Sequence, residues 1–460
     1  LPSLIRYGPV SAYIYNFPNL FLPISELNYR LLNLIIILGC FVFSYKILRL
    51  FFSQSVSIFG TLSLFCTPIV FSYVYLEYLL IAFLFLQFAS FYYLLLYLKT
   101  KRAGFLFISY FILFIAIFYK DPLILLIPLY AFVGLIYSFH QVKANQMNPS
   151  FFKVFQEFRL FFYLSIICIL YYIPWYFLYN MYVWRSYIFT PEYLFNLDRI
   201  LMYLNAIASW LGIIFLLAIV GLFIRCITKN LNYLDLITIL WFVILYFFYT
   251  LDYWPLAEPR FIIPGLFFFY YNAGEFVYIS IEKIRQTLPM LFTKTISPGV
   301  ICSVLFIIVL FSLIIDSYQI SQHEFDNDYL PFNEVSRYLK ENIPTTSSIL
   351  VTMGPNPYFF YFQKFELNMT FRTDLWKSPN DQNASNLYLF CQEENIQYVM
   401  FPNSEWSVNY NNPNLIEMIG NDERFLLLEQ FQYRNSESFL YLFQLDFNGS
   451  TTEIGSCYSN

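Results

Sequence analysis

The chain has 460 residues, of which 59% are hydrophobic, 23% aromatic and only 12% charged. Soluble domains are about a quarter charged, so this composition excludes an ordinary water-soluble enzyme. The net charge of −4 hides an asymmetry: from Tyr318 onward 7 Lys and Arg stand against 18 Asp and Glu, whereas 19 stand against 12 before it.

The segment 8–24 is apolar, but Pro9, Pro18 and Pro23 interrupt it, and it reads as a juxtamembrane or half-buried helix. Ten apolar stretches follow, over 31–51, 55–73, 75–98, 104–119, 121–140, 159–180, 199–224, 234–252, 260–281 and 296–317. A helix needs roughly 20 apolar residues to cross a bilayer core, where its backbone groups must bond internally. The expected fold class is therefore a polytopic α-helical membrane protein. Residues 1–317 would form the transmembrane domain and 318–460 a small soluble α/β domain.

Lys and Arg collect in alternate turns. Lys46 and Arg49 end the first stretch, and Lys99, Lys101 and Arg102 follow the third. Lys143, Lys153 and Arg159 follow the fifth, Arg225 and Lys229 the seventh, and Lys283, Arg285 and Lys294 the ninth. Cytoplasmic loops carry this excess, so every odd-numbered stretch should end inside and the C-terminal domain should be extracytoplasmic. In that domain, helices are expected over 333–342, 384–395 and 414–419, and strands over 347–353, 396–401, 425–433 and 439–445.

The opposite turns hold the charges that suggest chemistry. Arg6 and Tyr7 precede the first stretch, and Glu77 opens the third. A carboxylate inside the membrane boundary costs energy unless paired or hydrated, which marks Glu77 as a functional candidate. A helix N-terminus also favours negative charge, so its placement has a purely structural reading too. Lys120 and Asp121 form a tight turn before Pro122: Asp is a fitting N-cap, and Lys is either an interface anchor or a cation for a lipid phosphate. Asp252, Glu258 and Arg260 lie between the eighth and ninth stretches. Arg260 is a boundary anchor or a bidentate phosphate ligand.

His140 and His323 are too few and too far apart for a metal site, and no nucleotide-binding loop or Ser/His/Asp arrangement appears. No cofactor is indicated, although a divalent metal is not excluded, and no nucleic-acid partner is expected. Cys391 and Cys457 could pair if their domain faces an oxidising compartment. Three Asn-x-Ser/Thr sequons, at Asn368, Asn383 and Asn448, lie in that domain.

Several segments resemble the integral-membrane GT-C glycosyltransferases. Arg6-Tyr7-Gly8-Pro9 with Tyr29-Arg30-Leu31-Leu32-Asn33 is similar to the family's first region. Pro68 with Tyr75-Leu76-Glu77, Tyr119-Lys120-Asp121-Pro122, and Glu258-Pro259-Arg260-Phe261-Ile262-Ile263-Pro264 resemble later ones. The run from Val335 to Pro344 resembles the start of the family's extracytoplasmic domain. Protein O-mannosyltransferases and aminoarabinose transferases would be the nearest relatives. The resemblance implies transfer of a sugar from a polyprenyl phosphate, dolichyl or undecaprenyl, to a glycan, lipid or protein acceptor among membrane lipids. It makes Glu77 the second acidic position, and Lys120 and Arg260 cations near the lipid phosphate. Arg6 is a further phosphate candidate, with Tyr7, Asp121, Asp252 and Glu258 beside it. The chain starts at Leu1 without Met, so its front reads as truncated, and the family's first helix and main acidic motif have no counterpart here. Two other classes fit the same residues: an inactive GT-C-like membrane assembly subunit, and a transporter of lipid-linked saccharide.

Overall fold

The computed structural model describes residues 26–67, 70, 78–119, 121–145, 150–182, 197–251, 259–287, 300–301, 303–315, 332–351, 369–372, 384–402, 415–432 and 439–447. The chain divides into two compact units, Leu1–Ser321 and Gln322–Asn460.

In the first unit, each of the ten apolar stretches contains a helix. They are α1 Glu26–Arg49, α2 Gln54–Cys66, α3 Tyr78–Thr100, α4 Ala103–Ile117, α5 Leu126–Ala144, α6 Phe151–Tyr182, α7 Leu197–Leu211, α8 Ile213–Ile227, α9 Tyr233–Leu251, α10 Phe267–Thr287 and α11 Ser303–Ile315. Short 3-10 helices, Asp121–Leu125 and Pro259–Gly265, lead into α5 and α10. Among the described residues four helices are long and apolar enough to cross a membrane alone, or five if a bent pair counts as one, and α2, α4 and α11 are apolar but shorter. The protein is an integral membrane protein.

One stretch departs from the expectation. The run over 199–224 is not one helix but two, α7 and α8, meeting at an angle of 101°. The break is Gly212, whose φ of +51° is a left-handed conformation that glycine adopts at no steric cost. Hydropathy is continuous across it, which is why the apolar run alone hides the corner. In addition, α6 begins at Phe151 rather than near 159, because helical structure continues beyond the apolar segment.

Side-chain contacts fix the helix directions. Cys40 Sγ lies 3.5 Å from the Ile81 carbonyl, and Lys99 Nζ donates to the Leu50 carbonyl at 3.3 Å, so α1 and α3 run parallel. Ser90 meets the Tyr130 hydroxyl at 2.6 Å and the Tyr97 and Tyr137 rings lie 5.8 Å apart, so α3 and α5 are parallel too. Tyr110 with Ser165 and Phe114 with Tyr171 align α4 with α6. Phe215 with Phe269, then Arg225 with Asn272, align α8 with α10. Ser55 with Ser303 and Phe59 with Phe306 align α2 with α11. By contrast α3 and α4 are antiparallel through Ser90 with Ser109 and Tyr93 with Phe105. Antiparallel packing also joins α9 and α10, through Thr238 with Tyr271 and Phe242 with Phe268. Odd stretches thus run one way and even stretches the other.

Small residues permit the closest approaches. A Cβ on Gly221 would lie 2.7 Å from the Asn272 carbonyl oxygen, so only glycine lets α8 rest on α10 there.

The second unit is a layered α/β domain. Its elements are α12 Phe332–Asn342, β1 Ser348–Val351, β2 Thr370–Arg372, α13 Ala384–Glu393, β3 Tyr398–Pro402, α14 Leu415–Gly420, β4 Phe425–Gln432 and β5 Phe439–Leu445. The strands form one sheet in the order β2-β1-β3-β5-β4. β1 pairs parallel with β2 and β3, and β5 pairs antiparallel with β3 and β4. Alternation along each strand sends side chains to opposite faces. Ile349 and Val351 pack with Val335 and Leu339 of α12, whereas Leu350 and Val399 pack with Leu387 and Cys391 of α13 and Ile419 of α14. Cys391 is a free, fully buried thiol whose pKa burial pushes up to about 12, and Cys457 lies outside the described residues. The three sequons also lie outside them. β2 was not foreseen, because three residues give no periodicity to read.

Candidate functional site

The helix directions separate the bundle into two ends. The C-terminal ends of α1, α3, α5 and α8 and the N-terminal ends of α2, α4, α6 and α9 gather at one of them, which carries Lys46, Arg49, Lys99, Lys101, Arg102, Lys143 and Lys229. The starts of α1 and α3 and the ends of α2, α4 and α9 lie at the other, as do the two 3-10 segments.

Two of the nominated residues border elements of this second end in the chain. Glu77 directly precedes α3, and Lys120 stands between α4 and the first 3-10 helix. Glu77, Lys120, Arg6, Tyr7, Asp252 and Glu258 lie outside the described residues. Asp121 and Arg260 have their backbones in the 3-10 helices Asp121–Leu125 and Pro259–Gly265, but their side chains are not described.

The described residues around this end form the scaffold. Gln87, on α3 and ten residues beyond position 77 in the chain, donates from Nε2 to the Pro264 carbonyl at 3.0 Å. Trp241 Nε1 donates to Gln87 Oε1 at 3.0 Å. One buried amide therefore ties α3 and α9 to the segment that carries Arg260. A central 3-10 helix holds its carbonyls in poorer geometry than an α-helix, and the Gln87 bond satisfies one that burial would otherwise leave costly. Thr67 and Tyr270 hydroxyls meet at 2.5 Å, fixing the end of α2 to α10. The Tyr246 hydroxyl donates to the Ile200 carbonyl at 2.7 Å, which holds α7 against α9.

Asn33 stands out here. It is 4% exposed, two turns before Cys40 on α1, and its Oδ1 has no hydrogen-bond partner among the described residues. Buried amides are nearly always paired, so an orphan acceptor two helical turns toward the end where α3 begins is a candidate ligand group. The sequence offered Asn33 only as part of a motif, and its burial could not be read there.

Sequence reasoning also missed the strongest polar cluster, which lies at the lysine-rich end. Arg225 donates from Nη1 and Nη2 to Asp235 at 2.8 and 2.6 Å, and from Nη1 to Asn272 Oδ1 at 2.9 Å. Its guanidinium carbon lies 5.2 Å from the centre of the Phe52 ring, and the Tyr271 hydroxyl donates to Asp235 at 3.2 Å. This cluster binds α8, α9 and α10 together. Asp235 in the first turn of an apolar helix, ten residues after an Arg, was the available signal. Among the described residues no group of three His, Cys, Asp or Glu could hold a metal ion.

No protein-family model matches the sequence, and no curated protein matches it. Solved structures do. ArnT from Cupriavidus metallidurans bound to undecaprenyl phosphate is similar over 95% of this chain and 88% of its own, with TM-score 0.53 and 12% identity. The apo oligosaccharyltransferase of Archaeoglobus fulgidus is similar over 94% of this chain and 67% of its own, with TM-score 0.56 and 10% identity. The archaeal oligosaccharyltransferase AglB of that organism, in complex with an inhibitory peptide and a dolichol-phosphate, is similar over 95% of this chain, with TM-score 0.53 and 10% identity. The present chain spans 66% of that AglB chain. Identities this low establish fold alone: the chain has the GT-C-type fold that its motifs resemble.

Proposed function

We propose that this chain transfers a sugar from a polyprenyl-phosphate donor to an acceptor at the outer face of the membrane. The observation that carries the reading is the convergence of helix ends. The start of α3, the junction of α4 with α5 and the segment Pro259–Gly265 all belong to the end opposite the lysine-rich turns. The similar structures of ArnT with undecaprenyl phosphate and AglB with dolichol-phosphate support the donor class.

The chemistry asks for two things at that end. The lipid phosphate leaves with developing negative charge, which cations at the membrane surface stabilise. Lys120, Arg260 and Arg6 would serve, with Arg260 as the bidentate ligand. The attacking acceptor needs a carboxylate within hydrogen-bond reach, and Glu77 is the candidate. Gln87 acts as a positioning residue, since it couples the helix behind Glu77 to the segment of Arg260. Asn33 Oδ1 would accept a hydrogen bond from a hydroxyl of the donor sugar.

The test is transfer from a polyprenyl-phosphate sugar in proteoliposomes. Glu77→Gln and Arg260→Ala should each lower the rate by about tenfold or more, roughly 1.4 kcal/mol of transition-state stabilisation. Unchanged rates in both variants would remove the assignment.

A further inference from the structure

At the lysine-rich end, away from the proposed transfer site, α8 and α10 do not close completely. A groove of about 130 Å³ lies between them, lined by Gly221, Ile224, Arg225, Phe276, Ile279, Ser280 and Lys283. Its lining holds two cations, one hydroxyl and no carboxylate. Beside it, Phe223 and Ile227 on the outward face of α8 are 65% and 64% exposed, as side chains that meet lipid tails should be.

Arg225 gives the groove its character. It is 4% exposed, and its four terminal N–H groups are spent on Asp235, Asn272 and the Asn230 carbonyl. A guanidinium has five N–H groups. The fifth, on Nε, has no partner among the described residues, and the residue that bears it lines the groove. Lys283 stands on α10 two turns beyond Phe276, with no carboxylate bonded to its ammonium among the described residues. Acids also lie nearby. Asp235 holds the other edge of Arg225, Glu275 lies within electrostatic range of that pair, and Glu282 accepts from Gln286 at 3.3 Å. A guanidinium N–H left over from these bonds and reachable from the groove can donate to a phosphate oxygen, and the exposed Lys283 ammonium adds positive charge at the groove mouth.

We propose that this groove binds the phosphate of an anionic lipid headgroup in the leaflet that faces the lysine-rich turns. Arg225 Nε and Ser280 Oγ would donate to phosphate oxygens, Lys283 would supply charge, and the acyl chains would run along Phe223 and Phe276. The bound lipid would then bridge α8 and α10 beyond the contact that they already make at Gly221. No bond is made or broken. The chemistry is that of a phosphate ester, which a lipid or free phosphate can supply, and the apolar flanks favour the lipid.

Native mass spectrometry of the full chain in detergent, titrated separately with phosphatidylglycerol, phosphatidylcholine and inorganic phosphate, tests this. One phosphatidylglycerol should be retained in preference to phosphatidylcholine, inorganic phosphate should compete weakly, and Lys283→Ala should lower retention by about fivefold, the weight of one surface cation on an anionic lipid. Ser280→Phe fills the groove without touching the Arg225–Asp235 pair and should abolish the preference while the melting temperature without lipid is kept. Equal retention of the two lipids, or a preference that survives both variants, would overturn the proposal. Tight binding of inorganic phosphate alone would overturn the lipid as its source.

Discussion

The two ends of the helical bundle are held by different physics. At the lysine-rich end the tie is ionic: Arg225 and Asp235, both nearly inaccessible, join α8, α9 and α10 through Asn272 and Tyr271. Toward the other end the ties among the described residues are neutral: Gln87 with Pro264 and Trp241, Thr67 with Tyr270, and Tyr246 with Ile200. The contrast separates structural charge from charge with another use. A buried cation whose partners are already supplied by the fold is explained by packing. The cations nominated at 6, 120 and 260 and the carboxylate at 77 lie outside the described side chains, and catalysis is the role proposed for them.

Variants can break this contrast, and the largest effect should come from the ionic end. Arg225→Ala strands Asp235 and should lower stability by about 3–5 kcal/mol, read as thermal unfolding in detergent. Arg225→Met with Asp235→Leu should cost less than either single change, since the pair rather than the charge is what the fold requires. A double variant as unstable as the worse single one would contradict that. Next, Gln87→Leu leaves the Trp241 N–H and the Pro264 carbonyl unpaired and should cost roughly 1–3 kcal/mol. It should also raise KM for the donor by loosening the segment of Arg260, whereas a loss of stability with unaltered kinetics would make Gln87 purely structural.

How much of this was legible in the sequence varies by element. The alternation of Lys and Arg predicts that odd and even stretches run in opposite directions, because insertion energetics write topology into loop charge; the described contacts of α1 to α6 and α8 to α11 agree with that alternation, whereas α7 turns away by 101°. The corner at Gly212 was missed although glycine marks it, because the apolar run continues on both sides. The cluster of Arg225, Asp235 and Asn272 was invisible because its members are ten and 37 residues apart and meet only when three helices pack. At the candidate site, positions 77, 120 and 260 were readable from charge at helix boundaries. Gln87 and Asn33 were not, because a polar residue in an apolar helix declares its partner only in three dimensions.

The smaller predictions sharpen the contrast. Asn33→Leu removes an orphan buried acceptor, so stability should rise or hold within about 1 kcal/mol, while transfer falls; a marked loss of stability would make Asn33 structural. In the second unit, the Arg424 hydrogen bonds hold the Asp422 carboxyl below its ordinary pKa. The sign follows directly: a depressed carboxylate contributes stability above its unfolded pKa, near 4, and loses that contribution as pH falls through the folded value. Arg424 is partly exposed, so screening limits the effect to about 0.2–1 kcal/mol. Asp422→Asn should flatten the acid limb of the unfolding curve by that amount, and an unchanged limb would show the pair to be idle.

The sidedness itself is open to direct measurement. Single cysteines at positions 77, 260 and 101, in a chain whose exposed Cys226 has been replaced, can be labelled in intact cells with a membrane-impermeant thiol reagent. Labelling at 77 and 260 with protection at 101 is the predicted pattern. Labelling at 101, or opposite behaviour of 77 and 260, would contradict a shared outer chamber for the carboxylate and the cation.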